Sequence, residues 1–597
     1  MDIEQYQTDI LILGSGGAGL FAALHAYRDN PELKITVAVK GLLGKCGCTR
    51  MVQGGYNVAL NQGDSVERHF MDTINGGYWI PNQELAWRLV ETAPERVLEL
   101  ENEVGCFFDR VEDGSLHGKA FAGQTFDRTI HKGDLTGIEI INRLAEQVWS
   151  RPIDRLEDHR AVELIPSEDG DRISGVLMVN IRTGKPLFVQ AKAVLLGTGG
   201  GPSMYRYHTP SGEKSCDGLA MSLRAGLNLR DMEMVQFHPT GLLAGEGTRL
   251  TGTVLEEGLR GAGGHLLNGK GERFMHAYDG RGERATRDVV ARSIFREMRE
   301  GKTTPNGGVH ISMAHLGPDK VRKQFKGMVS RCADVGADLA AGLVEVVPTA
   351  HYMMGGVEVT IDCETDLKGL YCAGEDAGGI HGANRLGGNG VANSTVFGGI
   401  SGEVMADWVA REGILAEPDQ NKIEQALTLI DIPFNNAPGD LQALRSRLLD
   451  AMWDDAGIIR DQAGLERAYD KVHSILQELL ITGIKDVGKA YNQTWHDWMN
   501  LHSLASVSLA IIKAAMMRKN SRGSHYRDDY PERGDLNATT YTRVRQDGDD
   551  ITVTEIPVQF TRIKPGQTLL EDEQDQEREV RLKQVPQNET AQTNGAV

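Results

Sequence analysis

Residues 8–40 read TDILILGSGGAGLFAALHAYRDNPELKITVAVK. The apolar run from Asp9 to Leu13 predicts a buried strand that meets Gly14-x-Gly16-x-x-Gly19. An Ala- and Leu-rich helix and a second strand, KITVAVK, follow. This is the strand–turn–helix–strand setting that a dinucleotide-binding fingerprint requires. Gly14 permits the tight turn, Gly16 lets backbone approach a pyrophosphate, and Gly19 lets helix and strand pack closely. Gly17 and Ala18 open the helix, whose free N–H groups favour an anion. A lone glycine motif is weak, but with both strands and the helix in place it predicts nucleotide binding. Lys40 stands where an acidic residue usually ends the second strand, which counts against a simple NAD site.

Two later segments repeat the pattern of buried strand and tight turn. They are AVLLGTGGG (193–201), which carries Thr198 and Gly199, and GLYCAGEDAGG (369–379). Each read alone is a core strand with a turn. Three such strands converging on one site fit a large cofactor lying across a sheet, which favours FAD over NAD.

The chain has 597 residues, enough for two to four domains. Its net charge of −19 argues against nucleic acid as a partner, because a phosphate backbone calls for basic patches. The start, MDIEQYQTD, lacks the charged-then-apolar order of a signal peptide. No uninterrupted apolar run of about 18 residues occurs, so no membrane span is expected. These features predict a cytoplasmic protein, attached to a membrane only through a partner. Seven cysteines, an odd count without a C-x-x-C pair, suit neither a disulfide framework nor a metal or iron–sulfur site built by this chain.

The pattern predicts an α/β protein. Residues 239–349 differ in character and interrupt the nucleotide-type segments, as an inserted domain would. Residues 416–530 predict a helical domain, with apolar spacing of three and four in DLQALRSRLLDAMWDDAGI, GLERAYDKVHSILQELL and LHSLASVSLAIIKAAMMRKN. Residues 531–597 read as a C-terminal extension whose Glu-, Gln- and Asn-rich end predicts disorder.

Nine motifs then appear in order: GSGGAGL, MVQGG, DRTIHKGDLTG, RDMEMVQFHPTGL, EEGLRGAGG, GERATRDVVARSI, PTAHYMMGGV, GLYCAGE and HGANRLGGNG. With these the chain resembles the flavoprotein family of succinate dehydrogenase, fumarate reductase and L-aspartate oxidase over roughly residues 6–535. The resemblance implies a Rossmann-like FAD-binding domain in two parts, 1–238 and 350–415, with 239–349 as an α+β capping domain. It implies interconversion of fumarate and succinate, or a related dicarboxylate, by hydride transfer at flavin N5. It also implies an iron–sulfur partner subunit, with a possible membrane-anchor subunit besides, and the chain at the inner face of the membrane.

By the same resemblance Arg287 delivers the proton, resupplied through Glu257 and Arg260. Free arginine is a poor acid, and this trio on a surface helix would be an ordinary i,i+3 ion pair. His238, His351 and Arg385 match the substrate-carboxylate clamps, where a planar guanidinium suits a carboxylate. Phe121 matches the aromatic wall of dicarboxylate-specific members. Glu375, Asp217, Thr49, Gly54, Gly55 and Val391 match cofactor contacts, as do Arg385, Lys40, Thr198 and Gly199.

Departures carry information. Cys48 stands where membrane-bound members carry the histidine that links FAD covalently, so noncovalent FAD is expected. Glu256 replaces a threonine that touches a substrate carboxylate. It must turn away, be protonated, or face a substrate without an acid group at that end. Gly388 and Gly390 replace serines near the flavin, which suggests a larger or less polar ligand. Two alternatives stay open: L-aspartate oxidase, against which Phe121 speaks, and a noncatalytic FAD electron-transfer subunit, against which the intact Arg287–Glu257–Arg260 set speaks.

Overall fold

The computed structural model describes residues 3–571 apart from 246, 247, 249 and 549. Most of the tail expected to be disordered, residues 572–597, lies outside the described residues. The opening stretch forms β1 (Glu4–Leu13), α1 (Gly17–Asp29) and β2 (Ile35–Val39). Strand β1 starts earlier than its apolar run, because residues 4–8 pair with Leu187–Ala191 even where their side chains are polar.

The main sheet adds β3 (Asp154–Glu157), β4 (His159–Pro166), β5 (Ile173–Asn180) and β6 (Pro186–Leu196). Its order is β3-β2-β1-β6-β5-β4, with β1 parallel to both β2 and β6. Ile10, Leu11 and Ile12 are fully buried, as a strand covered on both faces must be. Strand β6 divides its outer edge. Residues 186–190 pair with β5, and 194–196 pair with the short strand Leu370–Cys372. The three strand-and-glycine segments therefore lie side by side, with their C-terminal ends at one rim.

The remaining elements frame that rim. Helix α2 (Asp217–Arg224) precedes a second sheet of β7 (Val235–Leu242), β8 (His265–Leu267), β9 (Val309–Ser312) and β10 (Leu343–Met353), ordered β7-β10-β9-β8. Around it, apolar residues between Leu242 and Val346 form a core separate from the main one. This region includes the short helix α3 (Gly258–Gly261) and α4 (Arg287–Arg299). Helix α5 (Asn389–Arg411) then returns against α1. Its small residues permit the close approach, since a Cβ at Gly398 would lie 2.6 Å from the Ala18 carbonyl oxygen.

Helices α6 (Leu441–Asp454), α7 (Gln462–Leu480) and α8 (Gln493–Met517) follow. Helix α8 begins eight residues before the apolar segment that predicted it, because Asn492 caps it by accepting from Trp495 N at 2.9 Å. Its mean hydropathy of 1.3 over a membrane-length window makes it long and apolar enough to span a bilayer, although its sequence is broken by polar residues. That window is 78% buried inside the fold, so the helix is a core element here. Beyond it, β-strands Thr540–Asp547 and Asp550–Pro557 form a hairpin that pairs with Leu229–Arg230.

Candidate active site

The rim opens into a cleft of about 510 Å³, continued at the ends of β1 and β2 by a chamber of about 70 Å³. Both are lined by Gly16, Gly47, Gly197, Gly199 and Lys214, so they are parts of one elongated groove.

The chamber end is made by backbone. Gly14 has φ +107°, and a Cβ there would fall on the carbonyl oxygen of Gly197. Gly19 lies behind it, where a Cβ would fall on the oxygen of Gly14, so it packs the helix and does not line the groove. No side chain caps α1 at Gly16. Gly17 N donates to Thr49 Oγ1 at 3.1 Å, and Ala18 lines the cleft. An extended nucleotide with an anionic middle fits this groove: its walls leave no room for side chains, and a helix N-terminus faces it.

Lys40, Thr198 and Asp217 line the chamber. The Lys40 ammonium donates to Asp217 Oδ2 at 2.8 Å, and Arg160 Nη2 donates to Oδ1 at 2.7 Å. Burial brings Lys40 down to about 8 against the pull of Asp217. Burial would raise the Asp217 carboxyl, but Arg160 and Lys40 outweigh it and hold the acid far down. The acidic group absent from the end of β2 thus arrives in space from the first turn of α2.

In the main cleft Glu375 Oε1 accepts from Met353 N at 3.0 Å and from Gly201 N at 3.3 Å. Cys48 also lines it, and burial, with Glu375 nearby, pushes its thiol up to about 12. All seven cysteines are free, and among the described residues no group of three or more His, Cys, Asp or Glu could hold a metal ion. The first turn of α5 presents Gly388, Gly390 and Val391 to the cleft, again without a capping side chain. At Gly388 φ is +90° and a Cβ would fall on Asn57 Oδ1. The fold demands glycine there, so this departure does not by itself point to a larger ligand.

At the other end charged side chains define the cleft. Arg287, from the first residue of α4, donates to Glu257 Oε2 from Nε at 2.8 Å and Nη2 at 2.6 Å. Arg260 Nη2 lies 3.5 Å from Glu257 Oε1. All three are buried, which separates them from an ordinary surface ion pair. Arg260 does not line the cleft; it stands behind Glu257, and its Nη1 donates to Glu283 O at 2.7 Å. Burial and the charge of Arg287 lower the Arg260 pKa.

Arg385 stacks on Tyr352 with its guanidinium carbon 4.3 Å from the ring centre. Burial and the neighbouring Arg287 bring it down to about 10. His238 and His351 have ring centres 5.4 Å apart, and burial, reinforced by Arg287, keeps both well below the usual histidine range. Thr240 N donates to His238 Nδ1 at 3.3 Å. A neutral His238 then carries its proton on Nε2, ready to donate to an anion. Phe121 walls this end, its ring against Gly54 and Gly387, and Gly55 lies beside Gly54 in the lining.

Two residues complete the site without having been expected. Gln236 Oε1 accepts from Arg287 Nη1 at 3.0 Å and Arg385 Nη2 at 3.1 Å, which ties the two cations together. Its position two residues before His238 on β7 was the available signal. Asp376 accepts from Thr198 Oγ1 at 3.0 Å and Gly199 N at 2.8 Å, which fixes the second glycine turn. Glu256 belongs to the cleft lining, 4% exposed, with Oε2 3.6 Å from Lys119 Nζ.

A family model described as an FAD binding domain matches residues 9–391, and one described as the fumarate reductase flavoprotein C-terminus matches 445–570. One subunit of the fumarate reductase (CoM/CoB) of Methanothermobacter marburgensis is 40% identical over 540 residues, covering 89% of this chain and 96% of its own. The fumarate reductase flavoprotein subunit of Escherichia coli K12 is 33% identical over 592 residues, covering 96% and 97%. A solved E. coli quinol fumarate reductase chain matches with a TM-score of 0.88 at 32% identity, covering 95% and 99%.

Proposed function

Because the chain belongs to the flavoprotein family of succinate dehydrogenase and fumarate reductase, and is an FAD-dependent oxidoreductase, we propose that it interconverts fumarate and succinate, or a closely related dicarboxylate. The observation that carries this reading is a charge imbalance. Two buried guanidinium groups, Arg260 and Arg287, meet one buried carboxylate, Glu257, and a third, Arg385, is tied to Arg287 through Gln236 at the end of a nucleotide-sized groove.

In this reading FAD supplies the hydride chemistry. It is held by the Gly14–Gly19 turn, the N-termini of α1 and α5, Thr49 and Glu375, and noncovalently, since Cys48 stands in place of the linking histidine. Arg385, the Nε2–H group of His238 and the His351 ring hold one substrate carboxylate. Phe121 covers the apolar carbons and keeps water out. Arg287 gives or takes the proton at the substrate carbon, and Glu257 and Arg260 replace it through their contacts. The relatives are named as subunits, which supports assembly with other chains; in this reading an iron–sulfur partner carries the electrons and the assembly holds the chain at the cytoplasmic side of a membrane.

The test is anaerobic. The bound flavin is reduced, fumarate is added, and the oxidised absorbance is followed, with L-aspartate tested on the oxidised flavin as the control. Return with fumarate supports the proposal, and its absence in protein that still holds FAD overturns it. Acid precipitation should leave FAD in the supernatant.

A further inference from the structure

We propose that Glu256 is a specificity-determining residue of this site, whose neutral carboxyl donates a hydrogen bond to the far carboxylate of the bound diacid. The inference rests on the dicarboxylate reading above and assigns the second end of the ligand. Glu256 directly precedes Glu257, whose carboxylate touches Arg287, so the two acids lie one peptide apart on the same wall. A short diacid held at one carboxylate by Arg385 and the two histidines, with Arg287 at its carbons, would bring its other carboxylate to this wall.

The Glu256 side chain is a buried acid without adequate compensation. Among the described residues its Oε2 has no hydrogen-bond partner. The nearest cation, Lys119, stands 3.6 Å away and spends a hydrogen bond on Gly133 O at 2.8 Å. Arg331, on the helix Lys326–Ala333, donates to Val254 O at 2.8 Å. Asp134, in the loop before the helix Thr136–Trp149, adds negative charge. Burial raises the Glu256 pKa, reinforced by Asp134 and opposed by Lys119 and Arg331. Two ionised carboxylates would repel here. One proton shared between them makes a short charge-assisted bond instead. The proton is taken up with the ligand, so diacid affinity becomes dependent on pH.

The test is equilibrium dialysis of labelled succinate against the oxidised holoenzyme across pH 5.5 to 8.5. The wild-type affinity should fall about tenfold per pH unit once Glu256 has lost its proton. In Glu256→Gln the amide donates at every pH. Its affinity should stay flat and exceed wild type at the alkaline end. Lys119→Met, which leaves Glu256 in place, should move the onset of the fall to higher pH. A flat wild-type profile, or a Gln variant that keeps the wild-type slope, overturns the proposal. So does a Gln variant weaker at every pH, which would mark an ionised Glu256 accepting from a ligand. Flat succinate binding in an enzyme whose flavin fumarate reoxidises sinks this inference alone. No succinate binding at any pH removes it together with the dicarboxylate reading.

Discussion

Two buried arginine–carboxylate networks lie close together in this molecule and are built to opposite ends. In the first, Arg518 bonds Glu233 and Asp231, Arg230 bonds Asp231, and Thr542 Oγ1 donates to Glu233. Two cations meet two acids. In the second, Gln236 ties Arg287 to Arg385, Arg260 stands behind, and Glu257 is the acid that Arg287 and Arg260 share. Here Arg260 Nε and Nη2 and Arg385 Nε are buried without hydrogen-bond partners among the described residues. A balanced buried network serves the fold. An unbalanced one is a cost to the fold that an anionic ligand repays.

Substitutions should separate the two. Arg287→Ala should lower fumarate-dependent flavin reoxidation by roughly 10³–10⁴-fold while FAD content and melting temperature stay near wild type. Comparable turnover would remove its proton-transfer role. Arg518→Met strands two buried acids and should cost about 3–5 kcal/mol in chemical denaturation. Arg385→Met relieves repulsion between cations, so its denaturation midpoint should hold or rise while succinate affinity falls about a hundredfold. Equal destabilisation by both would erase the distinction.

A third network, partly open to solvent, sets the lower limit. Glu403 Oε1 lies 2.8 Å from His25 Nδ1 and 2.9 Å from Arg96 Nη2. Burial would raise this acid, but the His25 hydrogen bond and the Arg96 charge outweigh it and hold it at about 2. A depressed acid stabilises fully above its unfolded pKa, and the contribution is lost as pH falls through the folded value. Glu403→Gln should therefore cost below about 1 kcal/mol near neutrality. The difference from wild type should shrink between about pH 4.5 and pH 2, as read from denaturation midpoints.

What the sequence disclosed follows the range of the forces involved. The turn at Gly14–Gly19 is a local backbone constraint, and it is written in consecutive residues. The convergence of β1, β6 and Leu370–Cys372 could be read because each carries its own glycine turn. Gln236 and Asp376 could not be read from composition. Their roles exist only once Arg287 meets Arg385 and Thr198 meets the third turn. Gly388 looked like a lost hydroxyl, while its cause, the side chain of Asn57, lies more than three hundred residues earlier in the chain. The hairpin at 540–557 is legible, since TYTRVRQDGDDITVTEIP alternates around an Asp-Gly turn.

Strand β6 pairs on one side with β1, near the start of the chain, and at its end with Leu370–Cys372. This order has a consequence for how the protein is made. At roughly 5–20 residues per second, the ribosome needs on the order of 20–80 s to reach the first turn of α5. During that time the newborn chain holds a glycine turn with no opposite wall, and supplying more cofactor cannot complete it. On the proposed binding of flavin by the first turn of α5, a transcript broken before this point should yield a colourless polypeptide.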